Sequence, residues 1–279
     1  MKKKRLKIHY PVAVAIAAVL LSLLLAYGTN FSDPVSVLFK NLYPQVIIGS
    51  GQISVAYWDQ AHIIAQRLDT NASAQKVSDQ LVKVKEESLL LDSLKVSYSS
   101  PNQNDELNFY KTGKEQQYKN LLEKDFNSNE NLFTQFVVKP EVYDALLRMK
   151  YNSDFTANAD AYAKAASILT QIKNGQSFDQ LAKTESDDKV TGQLGGDLGF
   201  VSRGQLLPEL EKAVMNASLG QVDPNIVVSR LGYHIIYPVE SADINGVKNW
   251  HVKHIFVETK GFDNWLNPKL KGFWVWHIK

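Results

Sequence analysis

The groups that could do chemistry in this 279-residue chain are few: six histidines, 29 acidic residues and no cysteine. Without cysteine there is no thiol nucleophile, no disulfide framework, no thiolate zinc site and no lipoprotein cysteine. The chain has no G-x-S-x-G elbow, so a serine hydrolase is a poor reading. His251 and His254 stand three apart in Trp250-His251-Val252-Lys253-His254-Ile255-Phe256-Val257, which reads as a strand. Residues three apart on a strand point to opposite faces, so the two do not form a metal site, and no metal is expected. The acids in Glu185-Ser186-Asp187-Asp188 read, taken alone, as a solvated loop. Gly49-Ser50-Gly51 between apolar runs reads as a turn. As a nucleotide loop it lacks the third glycine, and no βαβ unit surrounds it.

Those groups must be positioned by two kinds of element. Between residues 54 and 151 the apolar spacing is mostly helical. Trp58, Ile63, Ile64 and Leu68 give a first helix, and Val77, Leu81, Val84, Leu89 and Leu91 a second. The polar stretch Ser99-Ser100-Pro101-Asn102 reads as a break. A third helix is predicted from about Asp105 to Phe126, and a fourth after Pro140. These stripes suit a helical core. Beyond Asn152 the pattern changes. A helix from Ala161 to Lys173 ends at Asn174-Gly175, a good C-cap. Gly195-Gly196 supplies backbone angles forbidden to other residues, and Gly199 is expected to thin a strand where another segment approaches.

The later succession resembles the parvulin family of peptidyl-prolyl cis-trans isomerases over about residues 155–239. Ser177-Phe178, Leu181-Ala182, Ser186-Asp187, Gly195-Gly196-Asp197-Leu198-Gly199-Phe200, Gly204-Gln205 and Gly232-Tyr233-His234-Ile235-Ile236 carry the match. The resemblance implies a catalytic role for Asp188, at the family's active-site Cys or Asp position, and for His234, its C-terminal histidine. It implies substrate contacts for Gln205, Leu206, Leu210 and Ser229. Leu206 stands where the family commonly has Met, Leu210 where it has Phe, and Ser229 at a usual Thr. No cofactor is implied. Rotation about the prolyl bond needs an apolar grip on the ring and groups that favour the twisted amide, rather than a nucleophile or a metal.

Parvulins usually begin with a His-bearing strand shortly before the first helix. Here that place holds Glu141 to Tyr151, which reads as helix and has no histidine. Past the last family strand, Asn245-Gly246 signals a hairpin, and His254-Ile255-Phe256-Val257 resembles the missing strand. A circular permutation is expected, with His254 completing the catalytic set. Strand alternation then puts Val252, His254 and Phe256 on one face and Lys253, Ile255 and Val257 on the other.

At the start, Lys2, Lys3, Lys4, Arg5 and Lys7 precede an uncharged run from Pro11 to Gly28. As helix, this run gives roughly 27 Å, close to the ~30 Å hydrocarbon core. A single-pass anchor with the bulk of the chain extracytoplasmic follows. A cleaved signal peptide, with Ala26-Tyr27-Gly28 as the site, is the other reading. The net charge of +2 gives no polybasic surface, so no nucleic-acid partner is expected.

The expected fold is α+β: a transmembrane helix, a helical chaperone-like domain and a parvulin-like domain with a four-stranded antiparallel sheet. The expected divisions are a basic segment at 1–10, an anchor at 11–28, a helical domain at 29–152, an isomerase domain at 153–258 and an aromatic tail at 259–279. In the tail, Asn267-Pro268 is expected to start a helix. The function implied is isomerase and foldase action on unfolded or nascent secreted polypeptides containing proline. A non-catalytic chaperone with a degenerate parvulin domain is the alternative.

Overall fold

The structure is a computed structural model that describes residues 44–278. The basic segment and the anchor expected at 11–28 lie outside the described residues; so does the stretch 33–43, where Asp33 and Pro34 suit the start of a short helix. Among the described residues no helix is long and apolar enough to cross a membrane.

The described residues open with a hairpin, β1 (Pro44–Ile48) and β2 (Gly51–Ser54). Gly49 takes φ +50° at its turn. Ser54 then caps α1 (Val55–Leu68), its hydroxyl accepting from the Tyr57 N–H at 3.2 Å. Ser73 does the same for α2 (Ala74–Ser93), which buries Val77, Leu81, Leu90 and Leu91.

The expected third helix is two helices. The first, α3 (Ser100–Lys111), starts inside the stretch read as a break. Asn102 Oδ1 accepts from the Ser99 N–H at 3.0 Å, and Pro101 fits the first turn, where no backbone donor is needed. Gly113, at φ +71°, separates α3 from α4 (Glu115–Asp125). A short helix, α5 (Glu130–Phe133), runs through a π-turn at Thr134–Val138 into α6 (Lys139–Asn152). This is the helix expected after Pro140, and it buries Val142, Tyr143, Ala145, Leu147 and Tyr151.

The second region carries α7 (Ala159–Lys173), α8 (Phe178–Glu185), α9 (Lys189–Gln193), β3 (Asp197–Ser202), α10 (Pro208–Asn216), β4 (Val227–Val228), β5 (Gly232–Ile244) and β6 (Val247–Glu258). Its antiparallel sheet has the order β3-β6-β5-β4, so the last strand in sequence is central in space. Asn245 and Gly246, at φ +53° and +77°, form the β5–β6 turn. No strand lies between α6 and α7. One sheet face packs Tyr233, Ile235, Ile255 and Val257 against α7 and α8. The other packs Ile236 and Val252 against Leu210 and Val214 of α10.

The expectation for Gly199 is corrected. Its φ is +70°, but nothing lies within 4 Å of where a side chain would begin. It serves the register shift between Asp197 and Gly199. Close approach belongs to Gly196, where a Cβ would collide with the His254 carbonyl oxygen.

The stretch expected as a tail folds back on the helical region. Its helix, α11 (Phe262–Leu270), begins before Asn267-Pro268 and holds Pro268 inside. Phe262, Leu266 and Leu270 pack with Leu90, Leu91 and Leu147. This burial offsets the hydrogen bond lost at proline. Strand β7 (Val275–His277) then pairs with β1, giving a three-stranded sheet of order β2-β1-β7.

Candidate active site

Strand pairing sets the site. Ile236 lies opposite His254 in the register, and His234 opposite Phe256. The two histidines are therefore diagonal neighbours on one face, within reach of each other. His234 Nδ1 lies 3.3 Å from His254 Nδ1. Both are buried, at 2% and 7% exposure. Phe256 stacks on His234, with centroids 4.8 Å apart.

The hydrogen bonds fix the protons. Ser229 Oγ accepts from the N–H groups of Leu231 at 3.0 Å and Gly232 at 3.3 Å. Its own proton is left for His234 Nε2, 2.8 Å away. With Nε2 accepting, a neutral His234 carries its proton on Nδ1 and donates to His254 Nδ1. His254 then carries its proton on Nε2, which faces Asp188 Oδ2 and Thr191 Oγ1, each at 3.1 Å. The polarity runs one way, from the Ser229 hydroxyl to the Asp188 carboxylate.

Asp188 is the N-cap of α9. Its Oδ1 accepts from the Val190 and Thr191 N–H groups at 3.0 and 3.2 Å, and its Oδ2 from the Thr191 hydroxyl at 2.5 Å. Burial pulls its pKa up. The bonds from the Thr191 hydroxyl, His254 and the two backbone donors outweigh burial and bring it down to about 2. Burial lowers the pKa of His234, and His254 beside it adds to the effect. Burial also lowers that of His254, against the pull of Asp188. The site therefore holds two neutral imidazoles and one carboxylate.

The structure brings together Asp188, His234, His254 and Ser229. Ser229 is fully buried, so its hydroxyl positions His234 and does not face the cleft. The end of α6 supports it: Asn152 Nδ2 donates to the Ser229 carbonyl at 2.8 Å, and the Tyr233 hydroxyl to the Asn152 carbonyl at 2.8 Å. Leu210, at 5% exposure, is a floor under the sheet face, while Leu206 is half-buried beside it. Gln205 is exposed and apart from the histidines. Its Oε1 accepts from the Ser202 N–H at 2.8 Å and holds the loop that carries Leu206. His251 points to the other face, 2.8 Å from Asp197.

Sequence reasoning missed Thr191, which joins Asp188 to His254, and Phe256 as the stacking partner. Thr191 was findable, because an Asp N-cap followed by a hydroxyl three residues on is a local signal. Leu198, packed with Leu206 against the same cluster, was also missed as a pocket wall.

Parts of the chain are similar to known proteins. Residues 133–242 match a family described as the PPIC-type PPIASE domain. Foldase protein PrsA 2 of Bacillus cereus is 32% identical over 132 residues, covering 43% of this chain and 46% of its own length. Chaperone SurA of Nitrosospira multiformis is 30% identical over 112 residues, covering 40% of this chain and 24% of its own. The chain thus spans less than half of either relative. A crystal structure described as the peptidylprolyl isomerase PrsA from Bacillus anthracis aligns over 69% of this chain and 86% of its own at 23% identity. Its TM-score of 0.26 is too low for the two to be compared element by element.

Proposed function

From the PPIC-type peptidyl-prolyl isomerase domain carried in residues 133–242, we propose that this chain isomerises Xaa-Pro bonds and assists the folding of unfolded polypeptides. The observation that carries the reading is the continuous Ser229–His234–His254–Asp188 array beside the apolar cluster of Leu206, Leu210, Ile236 and Val252. The planar amide places negative charge on its oxygen and positive charge on its nitrogen. Twisting removes both. A carboxylate near that oxygen raises the energy of the planar dipole more than that of the twisted state, and this difference is what lowers a barrier. Asp188 carries the charge, the histidines and Ser229 hold it in place, and Leu206 and Leu210 grip the ring. Gln205 fixes the loop at the pocket edge.

The domain is read as circularly permuted. Support comes from three facts. The family match takes in the α6 helix, it stops at residue 242, and β6, which bears His254, lies central in the sheet. The helical region, closed by α11 and β7, is read as the chaperone-like part, with the uncharged run at 11–28 as its membrane anchor and the remainder outside the cytoplasm. Its clients would be unfolded secreted chains containing proline.

The test is exchange spectroscopy on a proline peptide with the full chain in detergent. Acceleration over the spontaneous rate, which is tens to hundreds of seconds per event, is expected. Binding without acceleration favours a non-catalytic chaperone. The replacement of an aromatic wall by Leu210 is the observation that keeps this second reading. A reporter fused after Lys279 tests topology, and activity inside the cytoplasm overturns the localisation.

A further inference from the structure

Helix α3 belongs to the helical region, yet it is fastened to the isomerase fold. Arg230 Nη1 and Nη2 reach the two carboxylate oxygens of Glu106 on α3 at 3.1 and 2.7 Å. Arg230 Nε reaches Glu209 Oε1 on α10 at 3.0 Å, and its backbone N–H donates to the same oxygen at 2.9 Å. The three side chains are 13%, 4% and 7% exposed. Charges this buried persist because the planar guanidinium forks into both carboxylates. A second pair, Lys212 to Asp105 at 2.8 Å, joins the same helices at the rim.

The end of α3 also meets the loop that carries Leu206. Gly204 has φ +84°, and a side chain there would collide with the Thr112 hydroxyl. A cleft of about 260 Å³ remains between them, with Asp105, Asn108 and Thr112 on one wall and Leu206, Pro208 and Met215 on the other. Its charges are balanced. Arg203 and Lys212 stand with Asp105 and Glu211, Lys212 is paired with Asp105, and Glu211 accepts from the Gly204 N–H. Leu206 lines this cleft and also belongs to the cluster beneath His254.

We propose that the cleft is an extended subsite for the residues flanking the proline of a bound chain, so that α3 is part of the isomerase's binding surface. The inference rests on the isomerase reading. A chain with its ring on the Leu206–Leu210 cluster has its next residues at the cleft mouth. Compensated charges and the Leu206, Pro208 and Met215 wall select an uncharged, apolar flank. At this size the cleft takes part of a peptide, since whole-ligand pockets run to roughly 300–1,000 Å³.

The experiment uses the full chain in detergent with two labelled twelve-residue peptides. Each has one central Ala-Pro, flanked by Leu in one and by Asp in the other. A blocked Ala-Pro tetrapeptide is the short substrate. Anisotropy reads affinity and exchange spectroscopy reads turnover. The Leu-flanked peptide is expected to bind about tenfold tighter, equal to ~1.4 kcal/mol. Asn108→Trp, at an exposed position, should fill the cleft and remove that preference. It should cost about tenfold more on the long peptide than on the tetrapeptide, through KM. Met215→Ala should reduce the preference without filling. Equal affinity for the two peptides, or equal losses on long and short substrates, overturns the subsite. If the tetrapeptide shows no exchange at all, the isomerase reading fails by itself, and the anisotropy arm still decides the cleft.

Discussion

His234 Nδ1 and His254 Nδ1 lie 3.3 Å apart, although 20 residues separate them in the chain. The hydroxyl of Ser229 decides which of the two donates. Ser229→Ala removes the donor to His234 Nε2 and the acceptor of the Leu231 and Gly232 N–H groups. A loss of about 1–3 kcal/mol is expected, the penalty of unmatched buried polar groups. Nitrogen chemical shifts should show His234 protonated on Nδ1 in the wild type and losing that single tautomer in the variant. An unchanged tautomer would falsify the assigned direction of the array.

Asp188→Ala should slow isomerisation by about 10- to 100-fold. This is at or below the range of general acid–base effects, because no proton transfer is obligatory. It also removes the cap of α9, at about 1 kcal/mol. Exchange rates and a urea midpoint measured on the same preparation separate the two effects. A rate loss no larger than the stability loss predicts would remove Asp188 from the catalytic set.

Truncation after Asp243 deletes β6, which pairs with both β3 and β5. Loss of an edge strand is tolerated, but loss of a central strand leaves two rows of backbone groups unpaired. The isomerase region should then unfold, read as lost amide protection in β3 and β5; α2 and α6 should lose protection as well where they pack on α11, which the truncation also removes.

Gly196 and Gly199 should respond differently to alanine. Both have positive φ, at +80° and +70°, so each variant pays about 1–2 kcal/mol of backbone strain. Only at position 196 does the new methyl also meet the His254 carbonyl. Gly196→Ala should therefore be the more destabilising in urea melts and should displace His254. Equal midpoints would contradict the close approach.

Stability against pH carries two opposed contributions. The folded-state pKa values of His234 and His254 lie below the usual 6.5. As pH falls below 6.5 the unfolded chain takes protons that the folded chain refuses, so stability drops. Glu87 on α2 acts the other way. Burial raises its pKa to about 7, with Lys83 only partly offsetting. Its folded form holds a proton between pH 4.5 and 7, and stability falls as pH rises through that window. Glu87→Gln should raise the urea midpoint at pH 8, by roughly 1–3 kcal/mol in free energy, and change little at pH 5. An equal effect at both pH values would mean that Glu87 does not titrate in this window.

The sequence by itself determined what depends on neighbours in the chain. Asn174-Gly175 ends a helix, Asn245-Gly246 turns a hairpin, and period-two alternation sets Val252, His254 and Phe256 apart from Ile255 and Val257. Each of these rests on local dihedral preference or side-chain periodicity. The early start at Ser100 was missed because the same Ser, Pro and Asn residues serve both as breaks and as caps, and the split at Gly113 because a single glycine is tolerated inside a helical pattern. Only the tertiary structure decided that Thr191 and Asp188 meet His254, that Arg230 reaches Glu106 across 124 residues, and that β7 returns to β1. Such contacts depend on which surfaces meet after folding, and no local pattern in the chain encodes the partner of a buried charge or of an edge strand.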